Sequence, residues 1–200
     1  LAAGGKTPIY VGNREEILGL IAVADPLKAT SPEAVRRLKA MGLQVIMLTG
    51  DNAKTAQALA AEAGIDQVIS DVLPADKAQV VADLQAQGLK VAMVGDGIND
   101  APVLALSDVG FAMGNMGADM AVETADVIIQ TDEPAKVVEA IAIGRRTRRI
   151  VLQNIVFAIG VKVAVMLLGI LGMANLWEAV FADSGVALLA VMNSMRVMKK

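Results

Sequence analysis

Three short polar clusters hold the side chains of this sequence that could do chemistry. Thr49–Asp51 (TGD) supplies a hydroxyl, a glycine that leaves its backbone N–H open, and a carboxylate. Lys77 stands at the start of a predicted helix, and Gly95–Asp100 (GDGIND) puts two acids and an amide on a glycine-rich turn. Carboxylate and amide oxygens suit a hard cation such as Mg²⁺. A hydroxyl, a lysine and such a cation would together form a phosphoryl-transfer site that lacks only its nucleophile.

Each cluster also has a plainer structural interpretation. Thr49–Asp51 is equally consistent with a strand-to-helix turn in which Asp51 or Asn52 caps the helix. A solvated side chain is the plainer interpretation of Lys77, although a lysine at a helix N-terminus opposes the helix dipole. The plainer interpretation fits Gly95–Asp100 poorly, because a bare turn needs fewer acids and neighbouring carboxylates repel each other unless something neutralises them.

The composition excludes several other classes of site. The 200 residues include no cysteine and no histidine, which excludes a disulfide scaffold, a thiolate metal site, a cysteine nucleophile and a histidine base. Eighteen basic and 21 acidic residues give a net charge of −3, too balanced for binding nucleic acid by neutralising its phosphates. With 55% hydrophobic and only 20% charged residues, the chain is more apolar than most soluble domains.

The elements that must position the clusters alternate between strand and helix. Helices are predicted over Ala53–Ala63, before Gly64, and over Ala75–Gln87, after Pro74. Such alternation implies a parallel sheet with covered faces, in which ligands bind beyond the carboxyl ends of the strands. The three clusters lie at those ends. Short β-branched runs predict the strands at Val45–Leu48, Val68–Ile69, Val91–Val94, Val109–Ala112 and Val127–Ile129.

The apolar excess lies in two long runs late in the sequence. Ile150–Met173 would span roughly 36 Å as a helix, enough for a bilayer core of about 30 Å, and a second run covers Leu176–Val197. The alternative, a buried helical hairpin of a soluble protein, fits less well because apolar runs of this length seldom occur in soluble folds. Basic residues flank the pair, so the positive-inside rule predicts that both ends face the cytoplasm. They are Arg145, Arg146, Arg148 and Arg149 before the first run, and Arg196, Lys199 and Lys200 after the second.

The motifs resemble the phosphorylation domain of P-type ATPases, which belongs to the haloacid dehalogenase superfamily. The resemblance rests on TGD at 49–51, DVLPADK at 71–77 and MVGDGINDAP at 93–102, and DPLK at 25–28 is similar to the hinge that enters that domain. It covers the whole chain. It implies an α/β fold, with a parallel Rossmann-like sheet of haloacid dehalogenase type and flanking helices, followed by a two-helix transmembrane hairpin. It also implies Mg²⁺ and ATP as cofactors.

The resemblance further implies a role for each residue of the clusters. Thr49 and Gly50 would bind the phosphoryl oxygens, and Asp51 would order the loop or contact the nucleotide. Lys77 would also bind the phosphoryl oxygens and would neutralise the negative charge that spreads over them in the transition state. In the third cluster, Asp96 would hold Mg²⁺, and Asn99 and Asp100 would support the site.

The polar residues of the two apolar runs resemble the last two transmembrane helices of the zinc, cadmium and lead branch of heavy-metal P-type ATPases. The pattern is Asn154, Lys162, Asp183-Ser184-Gly185 and Asn193, and copper-transporting members carry different polar residues here. Because ionisable groups in a membrane are costly and usually functional, Lys162 and Asp183 are predicted to pair. The resemblance implies that Asp183 binds the transported metal, that Lys162 is its partner, and that Asn154 lies along the transport path.

The expected protein is the C-terminal portion of an ATP-driven Zn²⁺, Cd²⁺ or Pb²⁺ exporter in a bacterial inner membrane, which couples formation and hydrolysis of an aspartyl phosphate to ion transport. Its expected partners are the metal ion, the lipid bilayer and the rest of the ATPase chain upstream, with no nucleic acid. The expected domains are a remnant of the nucleotide-binding domain at 1–24, the phosphorylation domain with its stalk helix at 25–149, and two transmembrane helices at 150–200.

Several parts that the family uses are absent from the sequence. The phosphorylated aspartate lies in a DKTGT motif, which does not occur here, and Asp25 lacks the threonine of that motif. The His-Pro motif and the cysteine pair of the metal site are absent too. The chain alone is therefore expected to be inactive. Two alternatives stay open: a membrane-anchored, catalytically incomplete phosphatase of the haloacid dehalogenase type, and a regulator that binds Mg²⁺ and phosphate.

Overall fold

The structure, a computed structural model, divides the chain into two compact units, residues 1–138 and residues 139–200. It describes residues 7–13, 16–23, 27–95, 100–114, 123–173 and 175–198. Asp25, Asp96 and Asn99 lie outside the described residues, so their roles stay predictions from the sequence.

The first unit begins with an antiparallel hairpin. Strands β1 (Thr7–Gly12) and β2 (Ile17–Val23) pair in a register that sets Ile9 opposite Ile21. Both of these side chains are exposed. Two β-branched runs separated by a short polar segment are typical of such a hairpin.

A parallel strand pair follows the first helix, α1 (Ser31–Ala40). Strands β3 (Ile46–Leu48) and β4 (Gln67–Ile69) pair in parallel, and α2 (Ala53–Ala63) connects them. The bounds of α2 are those that the sequence predicts. Gly64, which follows its last residue, adopts a left-handed φ of 75° that favours glycine.

A separate three-stranded parallel sheet has the order β5 (Ala92–Gly95), β6 (Val109–Met113) and β7 (Val127–Ile129). Leu104 and Ala112 are buried together in its core. A Cβ at residue 110 would lie 2.8 Å from the Leu104 carbonyl oxygen, so Gly110 allows helix and strand to approach closely. Two helices pack on each other beside this sheet: α3 (Lys77–Ala86) and α4 (Ala101–Leu106). The parallel α/β fold class is therefore confirmed.

Helix α3 begins two residues later than the sequence predicts. The backbone N–H groups of Asp76 and Lys77 both donate to the Leu73 carbonyl, at 2.9 and 3.2 Å, and residues 74–76 form a turn. Pro74 has no N–H to donate, which suits it to this turn. Lys77 is consequently the first residue of the helix, as its role in the second cluster requires.

Two long apolar helices complete the chain. Helix α5 (Pro134–Ile170) has 37 residues, and α6 (Leu176–Ser194) has 19. Both are long and apolar enough to cross a membrane, with mean hydropathies of 2.2 and 1.3 over their most apolar windows. Asn175 caps α6 in a reciprocal capping box with Glu178. The two predicted apolar helices are confirmed.

Candidate functional site

The loop after β3 holds Thr49 and Asp51 together. The Thr49 hydroxyl donates to Asp51 Oδ2 at 3.0 Å, and the same hydroxyl oxygen accepts the Asp51 backbone N–H at 3.1 Å. Asn52 caps α2, because its Oδ1 accepts the backbone N–H of Thr55 at 3.1 Å. Of the two caps that the sequence leaves open, the structure therefore uses Asn52. The Asp51 carboxylate instead orders the Thr49 hydroxyl.

The loop after β4 is bonded to the Thr49 loop through the backbone. The Val72 N–H donates to the Thr49 carbonyl at 3.2 Å, and the Asp71 N–H donates to the Asp51 carbonyl at 2.9 Å. A Cβ at Gly50 would lie 3.3 Å from the Val72 carbonyl oxygen, so the glycine admits the second loop. Asp71 takes a left-handed φ of 56°, which aspartate tolerates better than most residues. The Thr49 loop is thus bonded to the segment that leads to Lys77.

Lys77 and Asp100 form a largely buried ion pair. The Lys77 Nζ lies 2.7 Å from Asp100 Oδ1, and the two side chains are only 17% and 12% exposed. Removing water from two charges is costly, so each depends on the other as its partner. This ion pair joins the second cluster to the third.

Gly95 makes room for the Asp100 carboxylate. A Cβ at residue 95 would lie 2.7 Å from Asp100 Oδ2 and 3.0 Å from Asp100 Cβ. Such contacts are too short for real atoms, so any side chain here would displace Asp100 and the lysine bonded to it. In the sequence Gly95 is recognisable only as part of a glycine-rich turn. Its signal is a glycine at the end of a strand, where another chain segment must approach closely.

The described residues contain only part of the predicted Mg²⁺ site. Asp100 contributes one carboxylate, and its Oδ1 is already bonded to Lys77. Within the described ranges, no three acidic side chains gather into a cluster that could hold a metal ion. Asp96 and Asn99 lie outside those ranges. The donor chemistry of the set fits Mg²⁺, because carboxylate and amide oxygens are what this cation prefers.

A different charged cluster occupies the amino end of β6, away from the candidate site. Asp108 accepts hydrogen bonds from Lys90 Nζ at 2.7 Å, from the Val91 N–H at 2.9 Å and from Gln85 Nε2 at 3.1 Å. These bonds, that of Lys90 first, lower the pKa of Asp108 from 3.8 to about 2. The Asp108 carboxylate in turn raises the pKa of Lys90. This cluster ties the starts of β5 and β6 together.

In the second unit, Lys162 of α5 meets Asp183 of α6. Their Nζ and Oδ1 atoms lie 3.0 Å apart, and each side chain is 66% exposed. The predicted pairing is therefore present. A cavity of about 320 Å³ adjoins the pair; it is lined by Val161, Lys162, Val165, Met166, Ala179, Ala182 and Asp183.

The third predicted residue of the membrane segment, Asn154, bonds to the far end of α6. Its Nδ2 donates to the Ala190 carbonyl at 3.1 Å and to the Ser194 hydroxyl at 2.9 Å. Its Oδ1 accepts from Asn193 Nδ2 at 2.8 Å. The structure thus brings Asn154 together with Asn193, and it brings Lys162 together with Asp183, as separate contacts.

The fold of the first unit matches a known family. A family model for haloacid dehalogenase-like hydrolases matches residues 1–108, and a second model of the same description matches residues 76–141. The first match covers more than half of the chain. The chain therefore belongs to the haloacid dehalogenase-like hydrolases.

Its relatives include metal-transporting ATPases. A cadmium, zinc and cobalt-transporting ATPase of Bacillus subtilis (strain 168) is 50% identical over 197 residues, which are 96% of this chain and 28% of that protein. A zinc-transporting ATPase of Synechocystis is also 50% identical, over 90% of this chain and 26% of that protein. A copper-exporting P-type ATPase of Bacillus subtilis is 45% identical over the full chain and 25% of its own length. The chain thus spans about a quarter of the length of the curated relatives that it matches.

Solved structures give the same answer. The crystal structure of a zinc-transporting PIB-type ATPase superimposes with a TM-score of 0.88 at 38% identity, over 98% of this chain and 32% of that one. A second crystal structure of a zinc-transporting PIB-type ATPase, in a different state, gives a TM-score of 0.83. The resemblance to heavy-metal P-type ATPases of the zinc and cadmium branch is confirmed, as is the predicted fold class. The homologues of this chain are cation-transporting ATP hydrolases of the membrane.

Proposed function

We propose that this chain supplies the phosphoryl-binding framework and part of the metal path of an ATPase that exports Zn²⁺, Cd²⁺ or Pb²⁺. The observation that carries the proposal is the 3.0 Å ion pair between Lys162 and Asp183, on two helices apolar enough to cross a membrane. Charges at bilayer depth are costly and are usually retained for a function. A carboxylate is also an accepted ligand for Zn²⁺.

The three clusters of the first unit would handle the phosphoryl group. The Gly50 N–H would bind a phosphoryl oxygen, and the Thr49 hydroxyl would bind one by turning its hydrogen away from Asp51 Oδ2, its acceptor in this structure, to the phosphoryl group. Lys77 would neutralise the negative charge that spreads over those oxygens, and its ion pair with Asp100 fixes the position of its ammonium group beforehand.

Mg²⁺ and ATP are the cofactors that this arrangement would use. Asp96 would hold Mg²⁺, with Asn99 and Asp100 in support, since all three offer oxygen ligands. Mg²⁺ supplies positive charge that stabilises phosphoryl oxygens. The chain itself contributes Lys77 as the second positive charge and the Thr49 loop as the source of hydrogen bonds.

The membrane pair would work as a unit. When Asp183 binds the transported cation, Lys162 loses its partner, because the two cations compete for one carboxylate. The return of Lys162 to Asp183 would then displace the ion. In the proposed orientation both ends of the helix pair face the cytoplasm, in agreement with the basic residues that flank it. The uninterrupted helix α5 would link the first unit to the membrane segment.

The proposal is tested on the full-length transporter that contains this segment, reconstituted in lipid vesicles. Metal-stimulated ATP hydrolysis and metal uptake are measured with Zn²⁺, Cd²⁺, Pb²⁺ and Cu⁺. The unaltered protein should respond to the three divalent ions. Asp183→Ala should lose that stimulation entirely, whereas Lys162→Ala should still bind the metal and turn over slowly because release is impaired.

Glu178→Gln is the matched control, because it removes an acid from the same helix. The Glu178 carboxylate accepts the Asn175 N–H at 2.9 Å, and a glutamine side chain can accept the same bond. This variant should keep normal turnover. Full zinc-stimulated transport in both Asp183→Ala and Lys162→Ala would show that the pair only holds the helices together, and the proposed metal path would be wrong.

A further inference from the structure

A second polar contact joins α5 to α6 away from the Lys162–Asp183 pair. Asn154 of α5 donates both of its amide hydrogens to α6, to the Ala190 carbonyl at 3.1 Å and to the Ser194 hydroxyl at 2.9 Å. Asn193 Nδ2 donates to Asn154 Oδ1 at 2.8 Å. Arg196 then donates to Asn193 Oδ1 at 2.9 Å. We call this set of contacts the amide clamp.

The hydrogen-bonding capacity of Asn154 is nearly used up by the clamp. An asparagine side chain has two N–H donors and one carbonyl oxygen, and here both donors and the oxygen are bonded to α6. In a membrane a broken bond of this kind finds no water to replace it. One lone pair of Asn154 Oδ1 is all that is left to face a metal ion, whereas three hydrogen bonds hold the side chain against α6. A positioning role follows more directly from this geometry than a ligand role.

The clamp and the ion pair lie at different depths of the same helix pair. Along α5, Asn154 and Lys162 are separated by roughly 12 Å, and along α6, Asn193 and Asp183 are separated by roughly 15 Å. Two contacts at different levels fix the sliding register of one helix against the other. A slip of one residue at the clamp would move Lys162 relative to Asp183 by about 1.5 Å along the axis.

The space around the ion pair contrasts with the bonded clamp. The cavity of about 320 Å³ beside the pair lies toward the connection between the helices, since its lining continues to Met166 on α5 and back to Ala179 on α6. On the other side of the pair, the clamp closes the distance between the helices with direct hydrogen bonds. The helices are therefore in direct polar contact at the clamp and leave an open cavity on the other side of the ion pair.

We infer that the amide clamp sets the register of α5 against α6 and thereby positions Lys162 opposite Asp183, so that Lys162 can return and displace the ion. This inference rests on the proposed function. Asn154 and Asn193 are then positioning residues, and their loss should resemble the loss of Lys162. The predicted phenotype is a fall in kcat with no rise in the KM for zinc, because Asp183 itself is untouched.

The experiment is a double-mutant cycle on the full-length transporter in lipid vesicles. Asn154→Leu, Lys162→Ala and the double variant are compared by zinc-stimulated turnover per phosphorylated molecule, which corrects for any loss of folded protein. Asn154→Leu should lower kcat about fivefold, in keeping with the loss of several interhelical hydrogen bonds. The double variant should be no slower than Lys162→Ala alone, because the group that the clamp positions is already gone.

Gln153→Leu is the control, since Gln153 is exposed beside Asn154 and, among the described residues, makes no hydrogen bond to α6. It should leave kcat and KM unchanged. If Asn154→Leu does not fold, Asn193→Ala is the milder variant. It removes only the bond from Asn193 Nδ2 to Asn154 Oδ1 and leaves the two bonds donated by Asn154 in place, so a smaller fall in kcat is expected.

Three results would overturn the inference: unchanged kcat in Asn154→Leu and Asn193→Ala, losses that multiply in the double variant, or a tenfold rise in the KM for zinc, which would make Asn154 a ligand. Failure of the proposed function has a different signature, because Asp183→Ala would then keep its zinc stimulation whatever the asparagine variants do.

Discussion

At the scale of single residues, the position of the Lys77 ammonium group depends on a glycine that does no chemistry. Lys77 is held by Asp100, and Asp100 occupies the space that a side chain at Gly95 would need. The absence of a side chain at Gly95 is thus as necessary for the position of Lys77 as the two charges of the ion pair. The same holds for Gly50, which lets the Val72 carbonyl approach to 3.3 Å of where a Cβ would be.

We expect Gly95→Ala to displace Asp100 and to lower stability by about 1–3 kcal/mol, the usual cost of overpacking. Thermal unfolding of the chain in detergent measures the stability, and the rate of phosphoenzyme formation in the full-length transporter measures the effect on Lys77. Gly144→Ala is the matched control, because among the described residues, apart from its own helix backbone and chain neighbours, no atom lies within 4 Å of the place that its methyl group would take. Alanine also favours a helix. Equal unfolding temperatures and phosphorylation rates for Gly95→Ala and the unaltered chain would contradict the argument.

Individual residues also show what sequence reasoning can reach. The motifs that contain Thr49, Lys77 and Asp100 are specific enough to be identified from the sequence. The structure bonds Lys77 to Asp100, and it bonds the Thr49 loop to the segment before Lys77. The left-handed φ of Asp71 could not be predicted from the sequence, because aspartate is common in loops of every conformation. The hydrogen-bond partners of Asn154 could not be predicted either. They lie 36 to 40 residues away on another helix, and no local sequence pattern indicates them.

At the scale of elements, the Asp108 cluster predicts an acid-sensitive contribution to stability. The pKa of Asp108 is lowered from 3.8 to about 2 in the folded chain. A lowered pKa means that the folded state favours the charged carboxylate, so the contribution is present in full above about pH 4. It should disappear as the pH falls from about 4 to about 2. The raised pKa of Lys90 implies that the partner stays charged throughout this range.

Unfolding temperatures of the chain between pH 6 and pH 2 test this expectation when they are compared with those of Asp108→Asn. The variant keeps the shape but loses the charge, so the two curves should converge at the acid end and separate above about pH 4. Asp83→Asn serves as the comparison acid, since the Asp83 side chain bonds only to Gln79 within α3 among the contacts described. Parallel curves for the unaltered chain and Asp108→Asn over the whole range would exclude the role of Asp108.

The elements themselves were largely predictable, but their ends and partners were not. β-branched runs predict all five parallel strands that the described residues form, and Gly64 predicts the end of α2. Strand β5 nevertheless begins at Ala92 instead of Val91, because the Asp108 carboxylate accepts the Val91 N–H. The division into a β3–β4 pair and a β5–β6–β7 sheet cannot be predicted from the hydrophobic pattern either. The order of strands is decided by contacts between segments that are distant in the sequence.

At the scale of the whole molecule, the chain contains the groups that we propose to bind a phosphoryl group but no DKTGT motif to receive one. Thr49, Gly50 and Lys77 offer hydrogen bonds and positive charge, which stabilise a transferring group without forming a bond to it. The relatives that match the chain are about four times as long as the chain.

We therefore expect the chain alone to form no phosphoenzyme. Purified chain is incubated with γ-labelled ATP and Mg²⁺, quenched in acid and assayed for protein-bound label, with the Asp25→Asn variant treated in parallel. No acid-stable label should appear on either protein, because the sequence has no DKTGT motif. Adding a separately expressed segment with a DKTGT motif should then place label on that segment, and Lys77→Ala should reduce it. Label on the chain alone that disappears in Asp25→Asn would make Asp25 the acceptor. The expectation that this chain lacks a phosphoryl acceptor would then be wrong.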